Sequence, residues 1–344
     1  MTVTTPLRYQ TLGDYTYHAI KKHLKKIEKW EASVKKDEDP EALHQMRVGM
    51  RRLRSVVSSL GFAVELPKSV CDRNIGKIAR RLGNLRDLDV LKDILENQYQ
   101  PGLPREEQKY LQKGLETLAQ QRQTHLELVQ QLLKSNRYKS LKNDLEDWLL
   151  TPIYQPIALI SINFSVSDLL LPEVSRFFIH PGWLVGLEID GEPINGNSES
   201  KLLLVDENNQ DQLNGHLMEN SKVLHHLRKQ AKRLRYQMEL FTDLYGEKYQ
   251  NFVNDIKNIQ DILGNLQDSL VLEEWLMEIF GQEWSRKLPQ LQQIVIATRW
   301  EYWQQWQALH AKYMQHSTRE SLHQEILDSH KNEIKNPEQH QISI

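Results

Sequence analysis

Two eleven-residue stretches concentrate the side chains best suited to hold an anion. HQMRVGMRRLR, His44 to Arg54, contains four arginines, one histidine and no acid. HHLRKQAKRLR, His225 to Arg235, contains three arginines, two lysines, two histidines and again no acid. An arginine fork matches a pair of phosphate oxygens, and a lysine offers a mobile point charge. An imidazole can donate a further hydrogen bond. The chemistry these residue types favour is recognition of phosphate groups. The chain as a whole does not share the bias: 44 basic residues face 46 acidic ones, a formal charge of −2. Any attraction for an anion is therefore local.

On a helical wheel, with His44 at zero, Arg47, Arg51 and Arg54 fall at about −60°, −20° and −80°. Met46, Met50, Leu53 and Val57 fall at about 180° to 240°, a core-facing stripe. In the second stretch His225, Arg228, Lys232 and Arg235 share one face, and Leu227, Ala231, Leu234 and Met238 the other. Arg52 and Arg233 sit off the cationic stripe, near 80°. A solvated helix normally mixes signs at i,i+4 spacing, and like charges there repel by a few tenths of a kcal/mol. The plain alternative is that acids on a neighbouring helix neutralise the stripe.

The two stretches align in register at an offset of 181 residues, His44 to His225. IARRLGNLRDLDVL, from Ile78, aligns with IQDILGNLQDSLVL, from Ile259, at the same offset. Two blocks sharing one offset imply an internal duplication. Each half then holds a basic helix followed by a Leu-Gly-Asn-Leu turn, in which Gly83 and Gly264 allow close packing or a bend. Asp87 and Asp268 are placed to cap that turn or to pair with a nearby arginine. Lys22, Lys25, Lys26 and Lys29 extend the cationic surface in the first half. So do Arg73, Lys77 and Arg80, at i, i+4 and i+7. Their counterparts Asn254, Asn258 and Asp261 have lost that charge, so the binding surface should be stronger in the first half.

The elements that position these residues are expected to be helices. Gly and Pro are sparse, and apolar residues recur at helical spacing. A helix is predicted over 9–36. A second opens at Asp39-Pro40, with aspartate as cap and proline in the first turn, and ends at Gly61. Further helices are expected over 69–82, continuing past Gly83 to Glu96, and from the PGLP loop at 101–104 to about Trp148. Residues 151–213 read as an irregular connector with room for short strands, WLVGLEI and KLLLV. Helices resume over 217–244, 247–263 and 267–280, and a long one carries Trp300, Trp303 and Trp306 as core. A polar tail follows from Ser317 and should fray. The expected organisation is a first helical half at 1–150, the connector at 151–213, a second half at 214–316 and the tail at 317–344. The fold class is all-α: two helical halves from an internal duplication, joined by an irregular connector that has room for short strands.

Other chemistries find less support. There is no phosphate-binding GxxxxGK[ST] loop. LEIDGEP lacks the lysine of an alternating ExExK run. His225 and His226 diverge by about 100° on a helix, and arginines beside each histidine would repel a cation. No metal site or cofactor is therefore expected. Aromatic residues do not interleave with the basic stripes, which disfavours nucleic acid as partner. The single Cys71 suits a reducing compartment, and no apolar run approaches the roughly 18 residues of a membrane span. No basic, apolar secretory leader opens the sequence. The expected location is the cytoplasm.

The motifs HxxRVxxRRLR with LGxxRDxDVL, and LHxLRKxxKRLRY with LGxLQD, resemble those of the CHAD family, helical domains named for conserved histidines. The resemblance covers about residues 10–310, apart from the connector. It implies two pseudo-symmetric four-helix bundles with a basic surface or central groove that binds inorganic polyphosphate without catalysis, and association with polyphosphate granules. Carried over, His44, Arg47, Arg51, Arg54, His225, Arg228, Lys232 and Arg235 would line that surface, with Arg52 and Arg233 less central. The long connector and the uncharged helix at 254–261 depart from the pattern. A general polyanion binder, or a phosphate-processing enzyme with His44 or His225 as phospho-acceptor, is the alternative. Oligomeric state is not legible.

Overall fold

The computed structural model describes residues 11–187 and 210–328. Among them it is all-α, with no strand but isolated bridge residues, which include the antiparallel pair Val64 and Tyr154. The α-helices in chain order are α1 Leu12–Lys36, α2 Pro40–Leu60, α3 Asp72–Asp93, α4 Arg105–Lys134, α5 Asn136–Leu150 and α6 Ile162–Phe178. They are followed by α7 Gln210–Leu240, α8 Glu247–Phe280, α9 Trp284–Lys287, α10 Pro289–Met314 and α11 His316–Leu327. The described residues fall into two compact units. The first joins the chain up to Ile160 with 267–300, and the second joins 161–266 with the chain from Glu301 on.

Local signals explain the start of the first unit. Thr11 and Asp14 form a reciprocal capping box at α1. Asp39 accepts a 2.8 Å bond from the Glu41 amide, and Pro40 fills the first turn of α2. The α1–α2 corner is made by Asp37 in the left-handed region, φ 56°. Its carboxylate is held by the Arg122 fork from α4 at 2.7 Å on each oxygen. Helix α2 packs against α1 on one side and α3 on the other, and α3 against α4. Met46, Met50 and Leu53 are fully buried, as the wheel requires, while Val57 is half-buried. The same unit holds an apolar cluster in which Leu95, Leu111 and Leu118 meet Leu276, Leu288 and Leu291.

In the second unit α6 packs on α7. Leu227, Ala231, Leu234 and Met238 are fully buried. Trp303 and Trp306 are core, as expected, and Trp183 lies 5.4 Å from the Trp306 ring. Arg319 joins two helix ends, donating to the carbonyls of Tyr313 at 2.7 Å and Phe178 at 3.4 Å.

Five features depart from the sequence reading. Helices α3 and α8 run uninterrupted through Gly83 and Gly264, so neither glycine makes a turn. The expected helix from the PGLP loop to Trp148 is two, α4 and α5, divided at Ser135, whose side chain caps α5. Residues 162–178 of the expected connector are helix α6, despite Pro172 in its interior. Gln237 donates to the Leu169 carbonyl at 2.8 Å, close to where the proline removes a helical donor. WLVGLEI is not a strand where described, since Pro181–Leu184 is a 3-10 turn; KLLLV lies outside the described residues. Finally, the first part of the expected tail is helix: α11 buries Leu322 and Ile326 completely, and residues 329–344 lie outside the described residues.

Candidate anion-binding site

In the first unit, cations from three helices converge around α2. Lys22, Lys26 and Lys29 come from α1, His44, Arg47 and Arg52 from α2, and Arg86 from α3. Their mutual repulsion disfavours the charged form of the half-buried members. Lys26 is held below the usual lysine range by burial, then by Arg52, with Lys22 and Lys29 adding and Glu41 opposing. His44 is held below the usual histidine range by burial, then by Arg86, Arg47 and Lys26, again against Glu41. His23, buried at the same seam, is pushed down to about 3 by burial, then by Arg52, Lys22 and Lys26. An uncharged imidazole among cations is a proton donor or acceptor without being a fixed charge.

The face of α3 toward α2 receives two of the arginines. Arg54 forks onto Asp72 at 2.8 and 2.9 Å and lies over Gly76, where a Cβ would stand 3.1 Å from its Cζ. The Asp72 hydrogen bonds raise the Arg54 pKa despite partial burial. Arg47 pairs with Asp87 at 3.7 Å and lies over Gly83. So Asp72, Gly76, Gly83 and Asp87, four positions on one helical stripe, cradle two guanidinium groups. Acids on a neighbouring helix do balance part of the stripe, at Arg54 and Arg47. Arg51 and Arg52 are half-buried on α2. Arg73, Lys77 and Arg80 stand exposed on α3, as do Lys22, Lys25 and Lys29 on α1. Asn254, Asn258 and Asp261 are exposed on α8.

In the second unit α7 carries the matching set. Arg228 lies over Gly264, where a Cβ would approach its Nε and Nη2 to 3.0 Å. Arg235 donates to Glu239 at 2.8 Å and to Gln260 at 3.2 Å. His225 is held low by burial, then by Lys229, Arg228, His226 and Lys232. Lys232 is half-buried on the same face. Arg233 turns to α6, where it meets the buried Glu173 at 2.9 Å beside Arg176 and Gln230. That contact gives Arg233 a packing role and explains its position off the stripe.

Sequence reasoning missed Arg86 and Lys229. Both lie inside the quoted motifs. Arg86 was hidden because its block was read as a turn, so its helical phase relative to His44 was not drawn. Among the described residues no group of three or more histidines, cysteines or acids could hold a metal ion, and no helix is long and apolar enough to cross a membrane.

The CHAD domain profile matches residues 18–277, more than half of the chain. Two solved structures share the fold. The CHAD domain from the plant Ricinus communis is 22% identical, covers 92% of each chain and superposes with a TM-score of 0.53. PptA from Streptomyces chartreusis is 13% identical over 88% of this chain and 99% of its own, with a TM-score of 0.58. No curated protein matches the sequence. The two histidine-led basic helices, each with an arginine laid across a glycine of the next helix, therefore sit in a chain that belongs to the CHAD domain family.

Proposed function

We propose that this chain binds inorganic polyphosphate through the cationic faces of α1, α2 and α3 in the first unit and of α7 in the second, without chemical turnover. The observation that carries the reading is the convergence of Lys22, Lys26, Lys29, His44, Arg47, Arg52 and Arg86, whose charges add to burial in holding Lys26 and His44 below their usual ranges. Clustered repulsion of this kind is relieved by a linear polyanion, whose phosphates recur along a flexible chain. Arg73, Lys77 and Arg80 would lengthen the track in the first unit. Arg228, Lys232 and His225 supply the second.

The proposal includes the ancestry of the site. We read the chain as a duplication in which α2 and α3 correspond to α7 and the first part of α8, forming two related bundles. The matched crossings of Arg47 over Gly83 and Arg228 over Gly264 support that reading. The role that fits such binding is cytoplasmic recruitment to polyphosphate granules, or their organisation.

A competition titration tests it. Labelled long-chain polyphosphate is displaced by unlabelled polyphosphate, RNA, heparin or short phosphates at about 0.15 M salt, where the screening length is roughly 8 Å. Polyphosphate alone should compete well. Reversal of Arg47, Arg51, Arg228 and Lys232 to Glu should abolish binding while the helical circular dichroism persists. Equal competition by RNA would instead make this a general polyanion surface.

A further inference from the structure

His44 stands among cations that helix packing holds in place. Helix α2 is flanked by α1 and by α3. From α1 the stem of Lys26 lies against Gly49 of α2, where a Cβ would stand 3.4 Å from its Cγ. Arg47, one turn after His44, lies over Gly83 of α3, and Arg86 follows that glycine by one turn. The groups that face the half-buried imidazole are thus Lys26 of α1, Arg86 of α3, and Arg47 and Glu41 of α2. The Gly61–Ala63 turn, which also packs on α2, has no titratable group. Three cations meet one acid, and that acid is exposed on the preceding turn, hydrogen-bonded to Gln45.

We infer, building on the polyphosphate reading above, that polyphosphate draws a proton onto His44 as it binds, so that the first unit's face holds its ligand more tightly as pH falls. In the free protein the three cations add to burial in keeping the ring neutral. A phosphate placed on those cations cancels their repulsion and sets a negative charge beside the ring, which favours the charged form. The protonated ring then offers the phosphate a second N–H donor. The proton comes from solvent, and no covalent bond forms. His225, which heads the second stripe, is less suited. It faces Lys229, Arg228, His226 and Lys232 with no acid among them, and its Nδ1 is buried without a hydrogen-bond partner among the described residues. A second ring proton there has no acceptor.

Calorimetric titration of the full chain with long-chain polyphosphate, in buffers of different ionisation enthalpy near neutral pH, counts the protons taken up. Long chains keep the titratable end groups of the polymer a negligible fraction. The expected result is net uptake, with affinity rising about three- to tenfold from about pH 8 to about pH 6.5, since one fully coupled proton changes affinity at most about tenfold per pH unit. His44→Gln should lose most of the uptake and flatten the pH dependence at unchanged helical circular dichroism, while His225→Gln keeps both. Glu41→Gln leaves the histidine in place and removes its opposing acid, so the rise in affinity should move to lower pH. Binding without proton uptake, uptake undiminished in His44→Gln, or equal loss in His225→Gln overturns the inference and leaves polyphosphate binding standing. A chain that binds no polyphosphate at about 0.15 M salt removes both.

Discussion

Arg228 rests against Gly264 so closely that a methyl group on the glycine would come within 3.0 Å of the guanidinium. Glycine in mid-helix costs about 0.5–1 kcal/mol relative to alanine. Here it keeps a half-buried cation flat against its neighbour helix, aimed along the basic stripe. Gly264→Ala should therefore leave thermal stability equal or slightly raised, because the displaced atoms are the mobile end of a long side chain. Polyphosphate affinity should fall about three- to tenfold, the scale of about 1 kcal/mol. Melting curves and titrations of the same samples check both halves. Gly83→Ala is the control: its Cβ would stand 3.6 Å from Arg47 Nε, ordinary contact, so stability should rise without loss of binding.

The Arg54–Asp72 fork makes a second prediction. The pair is bidentate but about half exposed on each side, so it contributes at most about 1 kcal/mol to stability. Asp72→Asn should release the guanidinium and remove a negative charge beside Arg73. Affinity for polyphosphate should rise severalfold, and the slope of log affinity against log salt should steepen. Unchanged affinity in Asp72→Asn would show that Arg54 serves only the α2–α3 seam.

How much of this was legible depends on what each residue answers to. The core stripe of α2 was readable because Met46, Met50 and Leu53 answer only to helical phase. The caps at Asp39 and Gly61 were readable because they act within one turn. Gly83 and Gly264 were legible only as an alternative, because a glycine in sequence signals either a bend or close packing, and the incoming arginine decides for close packing. The fates of Arg54 and Arg233 depend on Asp72 and Glu173, which reach them from other helices. Helix α6 was hidden by Pro172 and its β-branched neighbours, whose weak helix propensity is overridden by packing on α7. The units themselves are assembled from discontinuous stretches, and no local pattern announces that.

His23 sets the acid side of the stability curve. Its folded pKa is pushed down to about 3 against an ordinary value of 6.5. Between those values the unfolded chain binds the extra proton, so stability rises with pH across this window. The stabilising contribution is complete above about pH 6.5 and is lost as pH falls toward 3. The buried side chain makes this worth a few kcal/mol. His23→Gln should flatten the dependence of the denaturant midpoint on pH between about 6.5 and 4, whatever it does to stability at pH 7. A slope equal to wild type would assign acid unfolding to other groups.

Glu28 works in the opposite sense. It lies on α1 against Glu146 of α5 and is pushed up to about 7, first by burial, then by its hydrogen bond with Glu146 and by that residue's charge, with Lys142 opposing and Glu31 adding. A carboxyl with a raised folded pKa contributes stability that is complete below its ordinary value near 4.5 and is lost as pH rises through 7. Raising the pH from 6 to 8 therefore ionises Glu28 beside Glu146 and loosens the α1–α5 seam. Glu28→Gln keeps a hydrogen-bond donor toward Glu146 and cannot ionise. The variant should match wild type at pH 5 and exceed it at pH 8, measured as a difference in melting temperature. Because α1 also carries Lys22, Lys26 and Lys29, the same variant should bind polyphosphate at least as well as wild type. A variant less stable than wild type at pH 8 would mean that Lys142 already neutralises the pair.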